Sequence, residues 1–160
     1  MTWQLRRAEP GDLDAIMAIE STVFASDAWS REAMAAELAD RHGYYLVAFP
    51  VAHPERIEAY AGLRSPRGGE QADIQTIAVA EHARGRGLGR VLLQTLIGEA
   101  RERGASELFL EVRADNPVAQ ALYTSLGFEA IAVRPRYYQP DDVDAIVMRL
   151  PVPPPEVRPA

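Results

Sequence analysis

Apolar positions recur along this chain in two rhythms. Residues 3–7 alternate as a strand does, and Pro10-Gly11-Asp12 interrupts them. Leu13, Ile16, Met17, Val23 and Phe24 then follow helical spacing, with Glu20 as one polar interruption on that face. Asp12 is placed to cap this helix, and Ser30 to cap a second one reaching about Ala39. Trp29 and Met34 flank the second start as a hydrophobic staple. Residues 44–49 and 57–63 read as strands joined through Pro50, His53 and Pro54. Pro66-Arg67-Gly68-Gly69 reads as a hairpin loop leading to a strand over 72–79. A long helix over 88–103 buries Leu92, Leu93, Leu96 and Ile97 and stops at Gly104. A strand over 108–113 follows. Asn116-Pro117 then opens a helix whose face carries Ala121, Leu122 and Leu126 and which Gly127 stops. Strands over 128–134 and 145–150 bracket Arg136-Tyr137-Tyr138 and an acidic turn at Asp141-Asp142. The order β-α-α-β-β-β-α-β-α-β-β predicts a mixed α/β sheet with helices on its faces.

The 160 residues suit one domain over 1–150, followed by a Pro-rich tail over 151–160 that is expected to be disordered. The chain contains no cysteine, which excludes disulfides, thiolate metal sites and a cysteine nucleophile. His42, His53 and His82 show no ligand spacing, so no metal is expected. No apolar run is long enough to span a membrane, and the opening residues lack a signal-like apolar region. A cytoplasmic protein is the expectation. The net charge of -6 argues against nucleic acid as a partner.

Against that charge, one stretch reverses sign. Arg84, Gly85, Arg86, Gly87, Leu88, Gly89 and Arg90 lie between the strand ending Ile77-Ala78-Val79 and the long helix. A strand, a Gly-rich turn and a helix N-terminus in that order can hold an anion. The first helical amides have no intrahelical partner, and the helix dipole favours negative charge there. Glycines let the backbone approach such a ligand, and an ordinary Gly-rich turn is the plainer alternative. No Gly-Lys-Ser/Thr follows, so the loop is not a Walker A motif, and the third glycine comes too early for a dinucleotide fingerprint.

Arg84-x-x-Gly87-x-Gly89 resembles the signature loop of the GNAT superfamily of acyl-CoA N-acyltransferases. The element order over about residues 3–150 is similar to that family's as well. The resemblance implies a mostly antiparallel sheet of about seven strands flanked by four helices and splayed between the fourth and fifth strands. It also implies acetyl-CoA as cosubstrate. The pyrophosphate would lie on the amides of the loop, and the pantetheine arm would run beside Ile77, Ala78 and Val79, one of whose amides would face the oxyanion.

Glu111 alternates with Leu110 and Val112 on its strand, so it points to the face opposite theirs. A carboxylate there needs a partner, Arg113 or a group on a neighbouring strand, or it serves as a general base. Tyr123 sits in Ala-Leu-Tyr-x-x-Leu-Gly-Phe, either as a core tyrosine or as a proton donor. That run resembles the family's last motif, in which the tyrosine lies near the thioester sulfur. Asn116 is a helix cap that the resemblance also brings to the pantetheine arm.

Leu110-Glu111-Val112-Arg113-Ala114-Asp115-Asn116 and Arg134-x-Arg136-Tyr137-Tyr138 resemble a narrower group, the RimI-type N-terminal acetyltransferases of a ribosomal protein's alanine. By that resemblance Glu111 is the general base and Tyr123 the general acid. Tyr137 and Tyr138 would line the peptide groove, and Trp29 is counted with them as substrate-binding. The partner expected is a protein or peptide N-terminus on a ribosomal protein. Acetylation of lysine or small amines, and a weakly catalytic acyl-CoA-binding module, remain alternatives. Asp115 replaces a small polar residue often found at its position in the group.

Overall fold

The computed structural model describes residues 2–155. Seven strands form one sheet: β1 (Trp3–Arg7), β2 (Gly43–Pro50), β3 (Ala59–Arg64), β4 (Gln71–Val79), β5 (Glu107–Arg113), β6 (Glu129–Tyr138) and β7 (Val143–Pro151). Their order is β1-β2-β3-β4-β5-β7-β6. Every neighbouring pair is antiparallel except β4 and β5. The helices are α1 (Leu13–Val23), α2 (Arg31–Ala39), α3 (Leu88–Glu102) and α4 (Pro117–Ser125).

The helices start where the capping residues lie. Ser30 Oγ accepts from Ala33 N at 3.1 Å, and Asn116 Oδ1 accepts from Ala119 N at 3.2 Å. Asp12 behaves differently. It caps α1 by position only, because its carboxylate takes a two-pronged bond from Arg6 at 2.8 Å for each oxygen and accepts from Glu9 N at 2.7 Å. The charged fork is the stronger partner, and it holds the Asp12 carboxyl below the usual carboxylate range.

Two apolar layers cover the two faces of the sheet. On one, α1 and α2 bury Ile16, Ile19 and Met34 against Tyr45, Val47, Tyr60 and Ala78, with Trp29 packed alongside. On the other, α3 and α4 bury Leu88, Leu92, Leu93, Leu96 and Tyr123 against Leu46, Leu63, Leu108, Leu110 and Val112. Leu122 and Leu126 face this layer, whereas Ala121 is exposed. The expected face of α4 is therefore turned by part of a helical step, and Tyr123 takes the inward place.

The C-terminal boundary also moves. Pro151 closes β7 opposite Glu107, and Val152 is buried with its N–H donating to Ser106 O at 2.8 Å. The packed chain thus runs past the expected limit at 150, because an apolar side chain and a free amide both find partners there. Residues 156–160 of the expected tail lie outside the described residues. Among the described residues, no helix is long and apolar enough to cross a membrane.

Two irregularities position the site. Between Gly62 and Leu63 the β3–β4 register shifts: Gly62 faces Thr76 and Leu63 faces Ile74, which leaves Gln75 as an extra residue in β4. The parallel β4–β5 pairing spans only Gln71–Glu107, Ala72–Leu108 and Asp73–Phe109. A bulge bends its strand and sharpens the local twist. Here it does so just past the last β4–β5 pair, so the two strands diverge.

Candidate active site

The divergence opens a cavity of about 1110 Å³ whose walls come from both faces of the sheet. Ile77, Ala78 and Val79 form one side. Their pairing is with Ala61, Tyr60 and Ala59 on β3, and the β5 side of this segment has no strand partner. Apart from Val79 O, which accepts from Arg84 Nε, the backbone N–H and C=O groups on that side have no strand partner and suit an extended ligand that adds to the sheet edge as a short strand would.

At the mouth of the cavity lies the Gly-rich turn. Gly85 and Gly87 have φ of 77° and 78°, the left-handed region that side chains resist. Gly87 is the residue before α3, and no side chain caps that helix. The first helical bond runs from Val91 N to Gly87 O at 3.1 Å, so the amides of Leu88, Gly89 and Arg90 precede it. Gly89 packs against α4, where a Cβ would sit in ordinary contact 3.4 Å from Leu122 Cδ2. Leu88 is buried and pins the helix start to the core.

The three arginines part company. Arg84 Nε donates to Val79 O at 3.1 Å, and Arg90 Nη2 donates to Ser125 Oγ at 2.7 Å. Both residues line the cavity; Arg86 is exposed and does not. Nearby His82 Nε2 lies 3.0 Å from Glu58 Oε1. Among the described residues no group of three His, Cys, Asp or Glu is arranged to hold a metal.

Glu111 and Tyr123 reach this cavity from opposite faces of the sheet. Leu110 and Val112 of β5 enter the α3–α4 layer with Tyr123, and strand alternation turns Glu111 to the α1–α2 side. The partner of Glu111 is neither Arg113 nor a group on the adjacent strand. Arg134 Nε of β6, two strands away, lies 3.3 Å from Glu111 Oε1. The nearby Glu111 carboxylate also raises the Tyr137 pKa. Tyr123 packs edge-on against Phe128 with centroids 6.0 Å apart. Burial pushes its phenol up to about 12, so it stays protonated at neutral pH.

Asn116, Trp29 and Tyr138 also line the cavity, but Tyr137 stands outside it, stacked edge-on with Tyr138 at 5.1 Å. Asn116 caps α4 and faces the cavity at once. Burial raises the Tyr138 pKa well above that of a free phenol, with the charges of Glu111 and Asp27 adding to it.

Sequence reasoning passed over Glu20 as a polar break in an apolar face. It is fully buried beside the cavity. Its carboxylate accepts from the Tyr60 hydroxyl, from Trp29 N at 3.1 Å and from Thr76 Oγ1 at 3.4 Å. Burial raises its pKa despite these three donors. The signal was present, since a lone carboxylate at a buried helical position needs partners. Those partners come from β3, β4 and the α1–α2 link, and their convergence is a tertiary fact.

Residues 13–128 match the model of the acetyltransferase (GNAT) family. The chain belongs to that family. An uncharacterized protein of Mycobacterium leprae is 40% identical over 145 residues, which cover 88% of this chain and 38% of that protein. The chain thus spans under half the length of that relative. A [ribosomal protein bS18]-alanine N-acetyltransferase of Escherichia coli strain K12 is 37% identical over 146 residues, covering 90% of this chain and 94% of the relative. The crystal structure of the ribosomal-protein-S18-alanine N-acetyltransferase from Escherichia coli matches with a TM-score of 0.83 at 32% identity, covering 97% of each chain.

GNAT enzymes are acetyl-CoA-dependent N-acetyltransferases, and the turn fits such a donor. Left-handed glycines, uncapped helix amides and an unpaired strand edge follow one another along the cavity. A β-branched residue at Gly87 would be forced out of the left-handed region and would re-aim the following amides. Gly87→Val should therefore weaken acetyl-CoA binding about tenfold or more, read by isothermal titration; unchanged affinity would remove the loop from the donor site.

Glu20 gives a second expectation. Its raised pKa means that the folded chain holds this proton more tightly than the unfolded chain does. That stabilisation is complete below the usual glutamate value of 4.5 and is lost as pH rises through the raised folded value. Glu20→Gln carries no titrating proton and keeps an acceptor for Trp29 N–H. Its melting temperature relative to the parent chain should rise with pH across that window and then level off. A difference that stays constant with pH would show that Glu20 titrates alike in both states.

Proposed function

We propose that this chain is a protein N-terminal acetyltransferase that transfers the acetyl group of acetyl-CoA to the α-amine of a ribosomal protein's N-terminal alanine. The observation that carries the reading is the meeting of Glu111 and Tyr123, from opposite faces of β5, in one cavity at the strand divergence. The similarity to bS18-alanine acetyltransferases over nearly the whole chain supports the acceptor.

The amides of Gly85, Arg86, Gly87, Leu88, Gly89 and Arg90 hold the donor's pyrophosphate, and the free edge of Ile77, Ala78 and Val79 aligns its pantetheine arm. An α-amine has a free pKa of about 8, so much of it is protonated at neutral pH. Glu111, directly or through one water, accepts that proton. The neutral amine attacks the thioester carbonyl, and a β4 amide stabilises the oxyanion. As the C–S bond breaks, Tyr123 donates its proton to the sulfur, and the second proton that the attacking nitrogen must shed passes through solvent to restore the phenol. Transfer is direct, because the chain has no cysteine to carry an acyl group. Trp29 and Tyr138 wall the acceptor end, with Tyr137 at its rim.

Glu111→Gln and Tyr123→Phe should each lower kcat by on the order of 100-fold or more, with acetyl-CoA affinity unchanged. A variant that keeps the parent's turnover across pH loses its assigned role. The acceptor is tested by mass spectrometry of peptides varied at their first residue, with N-blocked lysine peptides and polyamines as competitors. Labelling should be strongest at a free N-terminal alanine. Labelling confined to lysine or polyamine would move the chain to another acceptor class, and donor binding without product would make it a binding module. The chain has no lysine, so any acetyl that it acquires on its own amines reports only its N-terminus.

A further inference from the structure

Two positions beyond Glu111, on the same face of β5, Arg113 gathers three carboxylates from three different links. Its Nε and Nη2 donate to Asp115 Oδ1 and Oδ2, both at 3.0 Å, in the link from β5 to α4. Nη2 also donates to Asp141 Oδ2 at 3.2 Å, in the turn between β6 and β7. Nη1 lies 3.5 Å from Asp27 Oδ2, in the link from α1 to α2. The guanidinium sits over the Tyr138 ring, 5.3 Å from its centroid. Ser26 closes the circuit by donating to Asp141 Oδ2 at 2.7 Å.

These links carry the acceptor end of the cavity. Asp27, Trp29, Asp115, Asn116 and Tyr138 all line it. Separate surface ion pairs hold little. One planar fork shared among three chain segments is a network, and its planar geometry suits several carboxylates at once. The cluster also holds three carboxylates to one guanidinium, and this excess lies beside Glu111. Such a mouth favours a cationic group such as a protonated amine.

We infer that Arg113 is a positioning residue for the acceptor: it clamps the α1–α2, β5–α4 and β6–β7 links into one groove around the carboxylate-rich mouth. This rests on the reading of the cavity as the site of acetyl transfer. The groups that Arg113 binds lie on the α1–α2, β5–α4 and β6–β7 links and not on the Gly-rich loop, so the clamp acts on acceptor binding.

The test uses the full chain with Arg113→Met, Arg113→Lys and Asp141→Asn, and takes two independent readings. In hydrogen–deuterium exchange, Arg113→Met should speed exchange in residues 24–30, 114–116 and 139–143 together, with α3 unchanged. Asp141→Asn, which leaves β5 intact, should do so in 24–30 and 139–143. Exchange altered only beside residue 113, or not at all, overturns the clamp. In kinetics, Arg113→Met should raise acceptor KM about tenfold or more, with a smaller fall in kcat and unchanged acetyl-CoA affinity. Arg113→Lys restores the charge without the fork and should not restore KM; full rescue by lysine overturns the clamp in favour of charge alone. An unchanged KM alongside loosened links overturns its role in acceptor binding. Labelling of lysine rather than N-termini by the parent chain would fail the acceptor reading alone, since the exchange result and the KM for that acceptor still judge Arg113.

Discussion

The site depends on a parallel strand pairing that stops after its third residue pair. Up to Asp73–Phe109, β4 and β5 are locked by backbone bonds; beyond it each must satisfy its inner edge some other way. The extra residue at Gln75 bends β4 at that point, and Gln75 Nε2 holds the bulge to α2 by donating to Glu37 Oε1 at 2.7 Å. The unpaired edge of Ile77, Ala78 and Val79, the opening through the sheet and the Gly-rich turn all lie downstream of this bend.

The bulge has a second consequence. A one-residue slip reverses which side chains face which layer. Before it, Ala72 and Ile74 enter the α3–α4 layer; after it, Ala78 enters the α1–α2 layer, while Ile77 and Val79 pack on the α3–α4 side. The reversal brings Thr76 under Glu20 and leaves the ligand-facing edge smooth. The cavity is therefore lined from both layers, with Glu111 and Tyr123 divided between them.

Much of the fold was legible because it rests on local rules. Ser30 and Asn116 announced their helices, Gly104 and Gly127 ended theirs with left-handed φ, and the alternation about Glu111 gave its face correctly. The departures have a common cause. Asp12 left its helix amides for Arg6, Glu111 found Arg134 across an intervening strand, and Arg113 turned to three links. Ionic partners are chosen by tertiary proximity, which no spacing along the chain encodes. The bulge was likewise hidden, because residues 72–79 read as one unbroken strand. Arg86 and Tyr137 stand outside the cavity lining, which their positions in the sequence did not reveal.

The placement of charge separates the two ends of the cavity. At the donor end the side chains that line the cavity are cationic, Arg84 and Arg90, and the helix amides add to them. At the acceptor end Glu111 and Asp27 line it, each shared with a single guanidinium. In a chain of net charge -6, the end held by Arg84 and Arg90 is a local exception. In the transfer proposed above, these opposed charges would draw an anionic donor and a cationic amine to opposite ends. Because Arg134 lies 3.3 Å from one oxygen of Glu111, an amine that enters as proposed above would meet a carboxylate whose position is already held. Such preorganisation spares the reacting groups a search for one another at the moment of transfer.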